Sequence, residues 1–314
     1  MKNKIFFAVL CMLLVTYVAN ATVLTVSNSP ISVGQYTTIQ SAIDVANGGD
    51  TIYVHGSPIQ YAAATINKKI IMIGAGYNVT GTQYNVNSDI ASLIIDSIAY
   101  NQPIYGTKLI GLKIYSLTVA DPTTNIGISR CYFSYMYWYG GNGWIIENNV
   151  IGTIYLQQYN GIINNMIIRN NFIYAATSIQ GYGTITGSGL LIDHNIIQGV
   201  INYVNYAVIT NNIFFFANIS GSTGAYNSFN NNATISSSAD NLPFGTNSGT
   251  GNLNNLTPAS VFTNGVSAVQ TFPTLCTLNW HVKTTSSAHN GGTDGTDCGI
   301  YGGASPMSNF TGAS

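Results

Sequence analysis

One short phrase recurs along the chain. "WIIENNVIG" (Trp144–Gly152), "MIIRNNFIY" (Met166–Tyr174), "LLIDHNIIQ" (Leu190–Gln198) and "AVITNNIFF" (Ala207–Phe215) are variants of one pattern. Each has an apolar residue, two variable residues, an Asn, one variable residue and a second apolar residue. The matches are Ile146-x-x-Asn149-x-Ile151, Ile168-x-x-Asn171-x-Ile173, Ile192-x-x-Asn195-x-Ile197 and Ile209-x-x-Asn212-x-Phe214. Phe229-x-x-Asn232-x-Thr234 is a weaker copy. Upstream, Ile128-x-x-Cys131-x-Phe133 carries Cys in the Asn slot, and Ile110-x-x-Lys113-x-Tyr115 fits loosely. Successive slot residues are 18, 18, 22, 24, 17 and 20 apart. A near-constant period of this size means stacked copies of one unit, a solenoid.

Two solenoids compete. Ile163-x-x-Met166-x-Ile168-x-x-Asn171-x-Ile173 fits a leucine-rich repeat. That architecture needs at least about 20 residues per repeat and often has helix on its convex side. Three of the intervals are shorter. Intervening segments such as "TSIQGYGTITGSG" (Thr177–Gly189) are rich in Thr, Ile, Tyr and Gly, which suit strands and turns. The sequence therefore predicts an all-β chain, a right-handed parallel β-helix with coils about 4.8 Å apart. Each Asn then lies over the next, its amide donating to one neighbour and accepting from the other. The same Asn is expected to take the left-handed backbone of a sharp turn. The predicted ladder is Cys131, Asn149, Asn171, Asn195, Asn212 and Asn232, with Cys131 as the small buried residue that ends it. Asn232-Ala-Thr is formally a glycosylation sequon, but a laddered Asn is inaccessible.

A solenoid must hide its ends. In "YTTIQSAIDVANGGDTIYV" (Tyr36–Val54), Thr37-x-x-Gln40 reads as a capping box. Ile39, Ala42, Ile43 and Ala46 share one helical face, and Asn47-Gly48 can stop the helix. This segment and "INKKIIMIGAG" (Ile66–Gly76) resemble the N-terminal region of pectate-lyase-like right-handed β-helix proteins. "WHVKTTSSAHNGGTDGTDCGIYGG" (Trp280–Gly303) is similar to the closing segment of secreted bacterial β-helix repeat proteins. The resemblance implies the fold. Its members include polysaccharide lyases, hydrolases and proteins without known catalysis.

The expected organisation is a signal peptide over 1–21 and an N-terminal cap over 22–50. β-Helix coils follow over 51–235, irregular Ser/Asn/Gly-rich coils or a loop over 236–275, and a closing segment over 276–314. The leader reading rests on Lys2 and Lys4, the apolar run Ile5–Val18 and the small-x-small site Ala19-Asn20-Ala21. It implies a secreted or cell-surface protein with no membrane span. Its removal leaves seven cations against ten anions. That balance excludes the basic stripe a nucleic-acid binder needs. In an oxidising setting Cys276 and Cys298 either pair or remain two free thiols.

Only 6% of residues are charged, so candidates for chemistry are few. The first variable position of the phrase reads Ser129, Glu147, Arg169, Asp193, Thr210. In register, Glu147 and Asp193 are about 9–10 Å apart with Arg169 between them. Inverting glycosidases place two carboxylates about 6.5–9.5 Å apart. Arg169 would hold both ionised, and His194 could supply a proton. The alternative is an exposed ion ladder worth under about 1 kcal/mol per pair. A second candidate is "CYFSYMYWYGGNGW" (Cys131–Trp144). Alternation places Tyr135, Tyr137 and Tyr139 on one face, Met136 and Trp138 on the other, and Tyr137 over Tyr155. Open aromatic rings suit sugar faces, with Gln157, Gln158 and Asn160 for hydroxyls. The other reading is an ordinary Tyr-rich sheet surface. Asp294 and Asp297 lack EF-hand spacing, which leaves calcium without a motif, and no cofactor or metal is expected.

These features point to a non-catalytic extracellular protein presenting a polar, aromatic face to polysaccharide. A polysaccharide lyase or glycoside hydrolase is the alternative. Self-association into a filament or surface layer is the third reading.

Overall fold

A computed structural model describes residues 21–79, 86–96, 104–120, 124–157, 163–186, 189–215, 224–235, 241–264, 266 and 268–312. The leader expected at 1–21 lies almost wholly outside them. Among the described residues, no helix is long and apolar enough to cross a membrane.

The chain is a parallel β-solenoid. One sheet stacks ten strands, from Val23–Val26 and Thr51–Val54 to Val208–Thr210 and Ser228–Asn230. A second sheet contains eleven, including Asp89–Ile95, Lys113–Val119, Tyr132–Trp138, Val150–Gln157 and Ile213–Phe215. All the strand pairs in both sheets are parallel, so neighbouring strands belong to successive coils. The inward column of the first sheet runs Ile52, Met72, Leu109, Ile128, Ile146, Ile168, Ile192, Ile209, Phe229 in unbroken register. Every one is buried.

The loose upstream copy of the repeat is one residue out of step. Leu112 rather than Lys113 occupies the ladder slot, because Lys113 pairs with Tyr132 and Ile114 with Phe133. A slip of one residue exchanges the two faces of a strand. Tyr115, which the loose copy sets in the second apolar slot, therefore points out and is 56% exposed.

The asparagine ladder runs through the core. Asn149 Nδ2 donates to Asn171 Oδ1 (3.0 Å), Asn171 to Asn195 (3.1 Å), Asn195 to Asn212 (2.9 Å) and Asn212 to Asn232 (3.0 Å). Each Oδ1 also accepts the backbone N–H of the slot residue in the preceding coil. At one end Cys131 Sγ accepts from Leu112 N, and burial pushes its thiol up to about 12. At the other, Asn232 donates to Asn252, which extends the ladder beyond the boundary expected at residue 235.

The left-handed backbone falls one residue before the ladder, not on it. Arg130, Asn148, Asn170, His194, Asn211 and Asn231 have φ between 52° and 59°. The slot residue itself must aim its amide along the stack, so its predecessor makes the corner. A second left-handed corner lies two residues before each of the seven successive first-sheet strands from Lys108–Ile110 to Ser228–Asn230. Gly106, Asn125, Gly143, Asn165, Gly189, Tyr206 and Tyr226 hold it. Six Asn and three Gly hold these corners, residues that take this backbone most easily.

The N-terminal helix is Ile39–Val45. Its N-cap is Thr38, one residue later than expected, with Oγ1 accepting from Ser41 N. Ile39, Ala42, Ile43 and Ala46 are buried against the first coils.

The C-terminal segment covers a flank of the solenoid. The second sheet carries an outward column of Tyr132, Val150, Phe172, Ile196, Ile213 and Ala233, all buried. Trp280 and Phe310 pack on Phe172, and Phe272 on Tyr132. Residues from Gly291 onward then run back down the left-handed corner. Asn231 donates to Gly291 O, Asn211 to Thr293, Asn170 to Ile300 O and Gly302 O, and Asn148 to Ser305. Tyr77 N–H, far upstream, bonds Thr311 O. This strap does not need the disulfide considered above. Cys276 and Cys298 are both free, and Cys298 Sγ is directed at Asn231 O.

Candidate glycan-binding face

Two outer surfaces carry the residues singled out from the sequence. On the first sheet, Glu147, Arg169, Asp193 and Thr210 stand in register on successive coils. The charges do not share Arg169 between two carboxylates. Its Nε and a terminal nitrogen both donate to Glu147 Oε2, at 2.9 and 2.7 Å. Asp193 instead accepts from Asn211 Nδ2 (2.9 Å) and bonds His194 Nδ1 (2.8 Å).

His194 is 1% exposed, which removes it from the role of proton donor to an external substrate. It occupies the left-handed corner under the strap. Its Nε2 bonds Thr296 Oγ1 at 3.1 Å. Gly302 and Gly303 lie so close above the ring that a Cβ on either would come within 2.7 or 2.9 Å of it. Sequence reasoning paired His194 with the carboxylates because it adjoins Asp193. It could not see that the closing segment folds back over this corner.

Asp294 and Asp297, considered for calcium, act as turn acceptors. Asp294 Oδ1 accepts from Thr296 N and Oγ1. Asp297 Oδ1 takes Asn290 N–H and His289 Nδ1. Among the described residues, no group of three or more His, Cys, Asp or Glu side chains is placed to hold a metal ion.

The second sheet bears the aromatic face. Met136 and Trp138 are fully buried, while Tyr135, Tyr137 and Tyr155 are half-buried on the outside. Tyr137 lies directly over Tyr155, with ring centroids 4.9 Å apart and planes 10° from parallel. Tyr135 stacks on both at 6.3 Å. Two rings that sequence reasoning passed over complete the cluster. Tyr115 meets Tyr135 edge-on at 5.6 Å, and Tyr182 tilts against Tyr155 at 6.1 Å. Tyr139 lies just beyond the strand, its N–H bonded to Val119 O. Gln158 and Asn160, and the side chain of Gln157, lie outside the described residues.

This geometry changes what the face offers. Rings stacked on one another along the solenoid cover each other's faces and turn edges and hydroxyls outward. The most open rings are those at the ends, Tyr115 (56% exposed) and Tyr182 (49%). Partial burial, and then the crowding of Tyr155 and Tyr135, holds the Tyr137 hydroxyl above its usual range, so it stays neutral. The column continues past Tyr155 as amides, Asn202 Nδ2 donating to Gln180 Oε1 at 3.1 Å.

At the Tyr115 end lies a depression of about 250 Å³ lined by Gln60, Asp89, Lys113, Tyr115, Tyr132 and Ser134, with Phe272. Lys113 is paired with Asp89, which also accepts from Gln60 Nε2 at 3.0 Å. Tyr132 hydroxyl bonds Tyr174 hydroxyl (2.8 Å) and Ser134 Oγ (3.1 Å). The site therefore combines open rings, neutral hydroxyls and amides, and one internally neutralised charge pair. A hollow of about 390 Å³ elsewhere brings Ser32 Oγ within 2.7 Å of His55 Nδ1. Among the described residues no carboxylate forms an ion pair with His55, which leaves this pair without the third group that orients a nucleophile's base.

No family model matches the chain, and no curated protein matches it. Among solved structures it is similar to an alginate lyase from Paenibacillus sp. str. FPU-7, with 15% identity and a TM-score of 0.38 over 75% of this chain and 96% of that one. A likeness this slight does not bear on activity.

Proposed function

We propose that the protein binds a polysaccharide along the tyrosine-bearing face of the second sheet and does not cleave it. The observation that carries this reading is the continuous cluster of Tyr115, Tyr135, Tyr137, Tyr155 and Tyr182, ending in the Gln60–Asp89–Lys113 depression. Aromatic rings supply apolar contact to sugar C–H faces, and amides and hydroxyls supply hydrogen bonds without charge. Two cations that a lyase or hydrolase could use are paired with carboxylates, Arg169 with Glu147 and Lys113 with Asp89. The same pairing favours a neutral glycan, because an acidic one would have to displace Asp89 or Glu147 from its cation. The setting we propose is outside the cell or on its surface, in line with the leader read at 1–21.

A panel of neutral and acidic polysaccharides tests this, scored for retention and for new reducing or ultraviolet-absorbing ends. Retention by neutral glycans without new ends is expected, and Tyr115→Ala with Tyr182→Ala should weaken it severalfold. New ends would establish the lyase or hydrolase reading instead. No retention would remove the glycan reading altogether.

A further inference from the structure

In the seven successive coils whose first-sheet strands run from Lys108–Ile110 to Ser228–Asn230, the corner that enters the strand is left-handed. Five use glycine or asparagine, the residues that adopt this backbone most easily. The other two use Tyr206 (φ 57°) and Tyr226 (φ 60°), and Tyr203, three residues before the first, is left-handed too at φ 53°. A bulky residue in this region is strained, and strain of this kind persists where the side chain is used. Burial does not repay it here. The three rings are 56%, 50% and 60% exposed, in chain order. Tyr206 and Tyr226 stack on each other 5.2 Å apart and 12° from parallel, outside the core.

We infer that Tyr203, Tyr206 and Tyr226 form a second contact for a neutral glycan chain. The inference rests on the function proposed above. It adds a site further along the stack. Tyr203 follows Asn202, which is in register with Gln180 and through it with Tyr155. The two aromatic patches therefore lie on neighbouring groups of coils, and one long glycan can engage both. Binding at the first patch raises the effective concentration of the chain at the second. Long chains should gain more from the pair than short oligosaccharides.

The test uses the full chain with Tyr206→Asn and Tyr226→Asn together. Asn125 and Asn165 already hold the same corner at φ 52° and 48°, so the backbone accepts the change. Expected are a melting temperature equal to or above that of the unaltered protein and at least a threefold loss of retention by a long neutral polysaccharide. Retention of a short oligosaccharide should change less. Tyr206→Phe with Tyr226→Phe, which keeps the rings, should retain the long chain. Undiminished retention by the asparagine variant overturns the inference and leaves the first patch standing. A lower melting temperature assigns the rings to packing and also overturns it. If no glycan retains even the unaltered protein, both readings fail.

Discussion

Replacing Asn171 with alanine should cost more than almost any other single change in this chain. Asn171 is fully buried at the middle of the ladder. Its Oδ1 accepts from Asn149 N and Asn149 Nδ2, each at 3.0 Å, and its Nδ2 donates to Asn195 Oδ1 (3.1 Å) and Ile146 O (2.9 Å). Alanine removes all four bonds. Asn149 N–H is then left buried without its acceptor, which costs about 1–3 kcal/mol, and the three other bonds contribute about 0.5–1.5 kcal/mol each. We expect a loss of about 2.5–7.5 kcal/mol, against a total stability of about 5–15 kcal/mol for a typical domain. Urea unfolding followed by tryptophan fluorescence measures it, since Trp138, Trp144 and Trp280 are all buried. The control is Asn165→Gly. This exposed asparagine is left-handed at φ 48° but bonds only at the surface, to Asn142. It should shift stability by no more than about 0.5 kcal/mol. If Asn171→Ala costs under about 1 kcal/mol, or no more than the control, the ladder does not hold the coils together as argued.

Two further outcomes follow from buried polar groups. Tyr77 is fully buried and its hydroxyl has no hydrogen-bond partner among the described residues, so Tyr77→Phe should leave stability unchanged or raise it by about 1 kcal/mol, read from the same urea curve. A clear loss would show that the hydroxyl is satisfied. Burial pushes the thiols of Cys131, Cys276 and Cys298, and the Tyr301 hydroxyl, up to about 12. The folded chain thus holds these protons more tightly than the unfolded one. The stability they contribute is complete below the unfolded thiol value of about 8.5 and is lost as pH rises towards 12. The urea midpoint should fall between pH 8.5 and 11, and a flat profile would contradict the burial described.

The repeat made the architecture legible because period and side-chain identity report the same thing, one coil and its inward residues. The ladder from Asn149 to Asn232 could be read directly, since the recurring Asn carries a short amide that donates and accepts along the stack; the turn itself is made by the residue before it. Asn252 was harder to see because its coil has lost the flanking isoleucines that mark the others. Where the pattern weakened, at Lys113, a one-residue slip set Tyr115 in an apolar slot that Ile114 fills. The fate of His194 was not legible at all. Its burial depends on the strap, whose contacts with the coils are set by backbone carbonyls and glycines rather than by any periodic signal. The tyrosine face was half legible. Alternation gave the outward side, but ring-on-ring stacking and the openness of Tyr115 and Tyr182 depend on three-dimensional neighbours.

The strap also bears on how the molecule is assembled. Most contacts of a solenoid join segments about twenty residues apart, so coils can form in sequence as the chain emerges. The bond from Tyr77 to Thr311 cannot form until the chain has been made through Thr311. Until the segment that carries Phe262, Trp280 and Phe310 has followed, the greasy ridge of Val150, Phe172, Ile196 and Ile213 stands bare. A nascent chain, or one cut short before this segment, would therefore be sticky along one edge, and the arrival of the covering segment would itself be the step that makes it safe.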